Sequence, residues 1–293
     1  MPKEIAKFAL LLGSTLIVSG CGETTTPDPT PVPPPDLYET LSSSASTTSD
    51  VGGVGIRTNG SNSLIELVTH SGSLTHNTGA FSVVDDQYTL TDSDGPNSGG
   101  TYNDGSGGTV SQSTSLDSSS YDYAKFANQA YQSSGISYDV GIVYGIITDA
   151  SDVPSSGSAN YSGDAFGEIV TSSAGYDLSD GNSSVDVDFG LGTVDVTLDG
   201  FSATNSSSGG PTTAPIDTIL ITGMTISGNR FTGGTFSTEL SSAVVDVTGL
   251  NTVTDSAGAF YGYNSAGSIP DELGGLFVSQ GDDGIIVGGF LSD

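Results

Sequence analysis

Two histidines, His70 and His76, and one cysteine, Cys21, are all the imidazole and thiol that this 293-residue chain can bring to chemistry. A single cysteine excludes an internal disulfide framework and a cysteine-based zinc site. A haem or metal site on His70 and His76 needs a third ligand at fixed spacing, and none accompanies them; the pair reads as exposed polar residues on strand ends or loops. Serine and aspartate are abundant, but there is no G-x-S-x-G elbow to raise a nucleophile, and no glycine-rich phosphate loop. Asp92-Ser93-Asp94-Gly95 opens like an acidic calcium loop, yet the twelfth position is Asn103 and the glycine falls two places early. The acidic pairs Asp186/Asp188 and Asp282/Asp283 are equally consistent with solvated surface. The expectation is a non-enzyme with no catalytic residue, no cofactor and no metal site.

Tyrosine is the other residue type that could line a binding surface, since it is enriched at interfaces. Tyr138, Tyr144, Tyr161, Tyr176, Tyr261 and Tyr263 are the candidates. Several alternate in phase with aliphatic neighbours, which places most of them in the core or rim of a barrel that has no tryptophan. Charge narrows the partners further. With 34 acidic against 5 basic residues the formal net charge is −29, a surface that repels phosphate and disfavours nucleic acid and anionic membrane. Cations or a basic partner suit it, and so does plain solubility in a salty medium, where screening removes the self-repulsion.

Cys21 sits where a different chemistry is available. Lys3 and Lys7 precede an apolar run from Phe8 to Val18, too short to cross a bilayer as a helix, and the run ends in Val18-Ser19-Gly20-Cys21. That ending resembles the lipobox of bacterial lipoproteins, in which the signal is cut before the cysteine and the cysteine receives a diacylglycerol and an acyl chain. Residues 1–20 are therefore expected to be a signal peptide, and Cys21 the lipidation site. More than one acyl chain gives stable anchoring. Gly22 is not the aspartate that often retains such proteins at the inner membrane, so the expected location is the outer membrane. Residues 21–50, with prolines at 27, 29, 31, 33, 34 and 35 and a Ser/Thr run, read as an extended tether.

The remainder must position whatever binds, and it is written in strands. Glycine at 42 residues and short β-branched or aromatic runs bounded by Gly, Pro, Asn and Asp make an all-β composition. In residues 51–120 the candidate strands are 64–68, 81–84 and 87–91, with 92–108 as loop, giving a small β-rich subdomain. Residues 121–293 are expected to form an eight-stranded antiparallel barrel. Tyr121 to Tyr131 fits a strand or a short helix, with the strand preferred; Ser137 to Thr148 alternates, and Ser158 to Val170 sets Ala159, Tyr161, Gly163, Ala165, Gly167 and Ile169 on one face. Residues 184–189 and 194–202 form a hairpin in which Phe189 is expected opposite Val194, Val187 opposite Val196, Val185 opposite Leu198 and Asp188 opposite Asp195 on a wet face. Strands follow at 217–226, 229–236 and 243–247. Last come 259–263, 272–279 and 285–291, whose glycines suit the bends of a barrel that the final strand closes.

Tyr144-Gly145 with Thr148, Asp152-Val153-Pro154, the run from Gly157 to Gly167, Val187-Asp188-Phe189-Gly190, Phe231-Thr232-Gly233, and the ending from Phe260-Tyr261-Gly262 to Glu272-Leu273-Gly274-Gly275-Leu276-Phe277 resemble the barrel of transferrin-binding protein B and its relatives. The resemblance covers about Tyr121 to Leu291. It implies an eight-stranded barrel behind a smaller handle subdomain, on an outer-membrane lipoprotein, exposed at the cell surface, that binds a host iron-carrier protein, haem or another ligand beside an outer-membrane receptor. One barrel, not two handle-and-barrel lobes, and short inter-strand loops separate this chain from transferrin-binding protein B itself. The functional expectation is a non-catalytic ligand-binding module that captures a protein, haem or small solute. A structural or adhesive envelope lipoprotein acting through an acidic, cation-binding surface is the alternative.

Overall fold

The computed structural model describes residues 48–59, 65–77, 80–85, 88–92, 100–102, 108–110, 121–133, 136–171, 174–205, 210–212, 216–240, 253–263, 269–281 and 284–293. The signal, Cys21 and most of the tether lie outside them, as do Asp94, Asp282, Asp283 and the expected strand 243–247. The described residues hold no helix and fall into two sheets within one compact unit, Pro35–Asp293.

The first sheet, the handle, is built from β1 (Thr48–Asn59), β2 (Ile65–Asn77), β3 (Ala80–Asp85), β4 (Tyr88–Asp92), β5 (Gly100–Tyr102), β6 (Gly108–Val110), β7 (Ala124–Ser133) and β8 (Ile136–Ile146). Its order is β6-β5-β4-β3-β2-β1-β8-β7. Three expectations change here. β1 begins inside the presumed tether and went unseen, because Gly52, Gly53 and Gly55 interrupt its alternation. Gly53 is demanded by the neighbour strand: a Cβ there would lie 2.0 Å from the Val143 carbonyl oxygen. Second, the expected loop 92–108 contains β5 and reaches β6, each three residues long and too short for any periodicity to show. Third, β7 and β8, placed beyond residue 120 in the expected barrel, complete the handle instead, with β8 pairing β1 through Gly53↔Tyr144 and Ile56↔Gly141. Alternation marks a strand as half-buried without saying which sheet buries it.

The second sheet is the barrel. Its strands are β9 (Ser158–Thr171), β10 (Gly175–Asp188), β11 (Thr193–Asp199), β12 (Ser202–Asn205), β13 (Pro211–Thr212), β14 (Ile216–Ser227), β15 (Arg230–Thr232), β16 (Thr235–Leu240), β17 (Val253–Tyr261), β18 (Glu272–Gly281) and β19 (Gly284–Ser292). The antiparallel ring runs β9-β10-β11-β14-β15-β17-β18-β19 and returns to β9, so eight strands close and the last one seals the circle. Closure removes the edge that an apolar terminal strand would otherwise expose. β16 continues β15 along β14, while β12 and β13 extend the early half of β10.

The hairpin of β10 and β11 keeps the expected faces but slides by two residues. Val187 opposes Val194, Val185 opposes Val196, and Asp186, not Asp188, faces Asp195. The cause is the turn. Phe189 leaves the ladder and is buried against Phe260, ring centroids 5.9 Å apart, and Asp188 Oδ1 accepts the Leu191 N–H at 2.9 Å. A slip of two preserves the inward set, which a slip of one would have reversed.

Two cores result. Inside the ring, Phe189, Phe231, Phe236, Phe260, Phe277 and Phe290 join the inward aliphatics of every wall. The other core lies outside the ring, where Val54, Ile56, Ala124, Phe126, Ile142 and Val143 of the handle meet Ala257, Ala259, Leu276, Val278, Ile285 and Leu291 of β17–β19. Phe126 and Phe166 join the two sheets there with centroids 4.0 Å apart.

Candidate functional site

Phe231, Phe260, Phe277 and Phe290, each at 0% exposure, and the aliphatics around them fill the described interior of the ring, so the barrel is a packed core and not a container. Polar and exposed chemistry therefore lies on the outside of the ring. The exposed face of β10 and β11 is polar, with Asp186 and Asp195 directly opposed and both exposed. Asn160 Nδ2 donates to Asp186 Oδ1, and Asp195 Oδ1 accepts the Gly223 N–H at 2.6 Å.

One end of the barrel gathers the connection 148–157 and the turns 189–192 and 228–229. Long-range bonds hold these together. The Phe189 N–H donates to Gly157 O at 3.0 Å, Ile226 N–H to Gly192 O at 2.9 Å, and Asn229 Nδ2 to Thr148 O at 2.8 Å. Thr148 Oγ1 in turn donates to Gly262 O at 2.5 Å, and Gly262 has φ +61° with the Tyr123 ring against its backbone, a place no side chain would fit. At the apex of the 189–192 turn Leu191 is 78% exposed, the one large apolar side chain so placed among the described residues. Flanking it are Gly190 and Gly192, and Asp149 is exposed nearby in the chain's own 148–157 connection.

The seam between handle and barrel carries the one buried carboxylate among the described residues. Glu272, 4% exposed, offers Oε1 to the N–H of Asp122 (2.6 Å) and Oε2 to that of Ala124 (2.8 Å), with Tyr123 N–H shared between them at 3.2 and 3.0 Å. Burial pushes its carboxyl up to about 7, against the pull of those amides and with a smaller upward push from Asp122. Tyr121 donates its hydroxyl to Leu291 O at 2.8 Å and Asp164 Oδ2 at 3.0 Å, and Arg230 Nη1 donates to Gly53 O at 2.6 Å. Desolvation raises the hydroxyls of Tyr121, Tyr161 and Tyr261, so all three stay neutral donors.

Sequence reasoning placed the tyrosines well: Tyr144, Tyr161, Tyr176 and Tyr261 are buried, and Tyr161 donates to Pro270 O at 2.9 Å. His70 and His76 both lie on β2, paired through the backbone with Gly53 and Phe81. The acidic pair Asp186/Asp188 divides, one exposed and the other half-buried and holding the turn. Leu191, Glu272, Tyr121 and Arg230 were missed. Glu272 had left a signal, a carboxylate opening an otherwise apolar and glycine-rich run.

The fold is thus a closed barrel with a filled interior, packed on a β handle. Residues 153–292 match the family described as the C-lobe and N-lobe beta barrels of Tf-binding protein B. Over those residues the barrel of this chain is similar to the barrels of that family. Among solved structures it is similar to intact Ap-TbpB with its N and C lobes, at TM-score 0.50 and 18% identity over 82% of this chain and 45% of that one. It is also similar to a mutant transferrin-binding protein B from Haemophilus parasuis, at TM-score 0.48 and 20% identity over 82% and 44%. The isotype 1 protein from serogroup B Neisseria meningitidis gives 0.45 and 19% over 82% and 43%. At such identities the likeness is one of fold, and this chain spans less than half the length of each. No curated protein matches it.

Proposed function

We propose that this chain is a lipid-anchored lipoprotein of the outer-membrane surface, tethered through Cys21, whose handle-and-barrel unit captures a ligand without catalysing its conversion. The observation that carries the reading is the filled ring: with Phe231, Phe260, Phe277 and Phe290 at 0% exposure, a haem or small solute has no lumen to enter. The favoured ligand is therefore a protein, met at the end where Leu191 projects from a pinned turn. A basic partner suits the −29 charge, since of the five basic residues only Arg57, Lys125 and Arg230 follow the signal. Transferrin, named in the titles of similar solved proteins, is one candidate protein ligand, and an outer-membrane receptor is the expected companion for uptake.

Protease shaving of intact cells and labelling with a fatty acid test the anchor; Cys21→Ser should lose the label and release the chain. For capture, the immobilised chain is exposed to host iron-carrier proteins, with Leu191→Ser as control. Binding lost in the variant supports the reading, whereas no binding together with no induction under iron limitation overturns uptake. A second reading rests on the opposed Asp186 and Asp195: an adhesive or structural envelope protein acting through cations. Calcium-dependent cell aggregation would favour it.

A further inference from the structure

Tyr121, just ahead of β7, reaches Asp164 of β9, and beside them the outer surface of the barrel sinks into a recess of about 380 Å³. Strand register builds it. Asp164 of β9 lies directly opposite Asn182 of β10, with Ser162 opposite Ser184, so both pairs belong to the outward face that also carries Asp186. Asp164 is gripped twice by one residue: the Tyr121 hydroxyl accepts its N–H at 3.1 Å and donates to Oδ2 at 3.0 Å, which leaves the carboxylate a second oxygen to offer. Asn182 gives Nδ2 to Asp199 Oδ1 at 3.3 Å, so its amide oxygen remains an acceptor. The buried Ser183 closes on its own neighbours, with Oγ paired to Ser292 Oγ at 2.7 Å and donating to Leu291 O at 3.2 Å. The exposed Asp293 adds a second carboxylate to the lining.

We infer that this recess receives the guanidinium of an arginine on the protein that the chain captures; the inference rests on the ligand being a protein, and adds a second fixed point to the contact at Leu191. The recess is far larger than the ~30 Å³ that one water takes in the liquid, so a side-chain head group enters it. Its described lining holds two carboxylates and no lysine or arginine, which calls for a cation. A metal ion is the poorer fit. Among the described residues no group of three or more histidine, cysteine or acidic side chains gathers to hold one, and two carboxylates fall short of the roughly six to eight oxygens that calcium takes. A carboxylate oxygen and an amide oxygen side by side on neighbouring strands suit the planar fork of arginine better than the single point charge of lysine. Asn182 stands six residues before Asp188 on β10, which at about 3.3 Å per residue sets the recess roughly 20 Å along the strand from the Leu191 turn. One partner burying about 800 Å² on this side spans that distance. Between the two points Asp186 faces Asp195, so the path is acidic and the matching face of the partner is basic.

Amide chemical shifts of the full chain, followed as arginine amide is added, read the recess without any partner; glucose and calcium chloride are titrated as separate arms. Saturable shifts centred on residues 162–164, 182 and 183 are expected for arginine amide. Asp164→Asn, which removes one charge-assisted hydrogen bond, should weaken that binding by about tenfold or more. Ser162→Arg, on the exposed face, seats a cation of the chain's own in the recess and should abolish it. Shifts of the same midpoint at Asp186 and Asp195 would mean diffuse attraction to acidic surface and overturn the inference, as would a tighter response to glucose or to calcium. If Asp164→Asn does not fold, Ser162→Arg decides alone: saturable binding that survives in it ends the proposal. Failure here leaves capture at Leu191 standing, because that is read with the partner protein and Leu191→Ser.

Discussion

β18 and β10 belong to the same ring and live in different surroundings. Along β10 buried and exposed residues alternate almost strictly from Asn182 to Val187, inward valines against outward Ser184 and Asp186. In β18, by contrast, eight consecutive residues from Glu272 to Ser279 are buried. The difference is the handle, which lies on the outward face of β17–β19 and leaves that of β10 and β11 to water. A barrel wall can thus be amphipathic or buried on both sides, and its sequence follows: one-residue alternation on β10, a near-continuous apolar and glycine run on β18.

The contrast can be broken most forcefully by moving a charge to an outward position on each wall. Leu276→Asp places a carboxylate beneath the handle, where Leu276 is 2% exposed, and should abolish cooperative unfolding in urea or cost at least ~4 kcal/mol. The same change at Thr197 on β11 should stay within ~0.5 kcal/mol. Phe277→Ala, pointing inward from β18 against Phe236 at 5.9 Å, should cost about 3–5 kcal/mol by loss of buried area and the cavity left behind, read as a lowered urea midpoint.

Removing the carboxylate at the seam is a gentler test of whether the two sheets are coupled. Glu272→Gln puts an NH2 group, which cannot accept, where the acid's second oxygen meets the amides, and should cost about 1–3 kcal/mol at pH 5. Its pH profile matters more. The folded value of about 7 lies above the ordinary one, so Glu272 contributes stability that is present below about pH 4.5 and lost as pH rises through 7. The variant's disadvantage should therefore shrink by pH 8, which thermal melts across that range would show. On the wet wall the smallest effect runs the other way. Asp186→Asn relieves the like-charge pair with Asp195 while keeping a partner for Asn160, and should gain about 0.2–1 kcal/mol at low salt, less with added salt. Leu191→Ser should leave the melting temperature unchanged, since its side chain is 78% exposed.

The wet wall is also where sequence reading succeeded most fully. Val185, Val187, Val194 and Val196 announce their inward face by period two, and all are buried. Register was harder: burying Phe189 in the turn slid the hairpin by two residues, a packing event that no alternation records. The handle was read least well. Gly52, Gly53 and Gly55 look like linker until Gly145, Tyr144 and Ile142 of β8 pair with them. Of the candidate site, the buried tyrosines were visible in phase with their neighbours. Glu272 was not singled out, because its acceptor role depends on amides 148 to 150 residues away.

By itself the sequence determined that this is a glycine-rich β protein, which mid-chain residues turn inward on β10 and β11, and that a terminal run of apolar strands needed a partner. Side-chain direction along a strand is a local property with a period of two, and local order is enough to write it down. Only the tertiary structure decided that β7 and β8 join the handle, that β18 is buried on both faces, and that the carboxylate of Glu272 meets three amides from far along the chain. Those outcomes follow from which strands close the ring and what then covers its wall, and neighbouring residues carry no record of either.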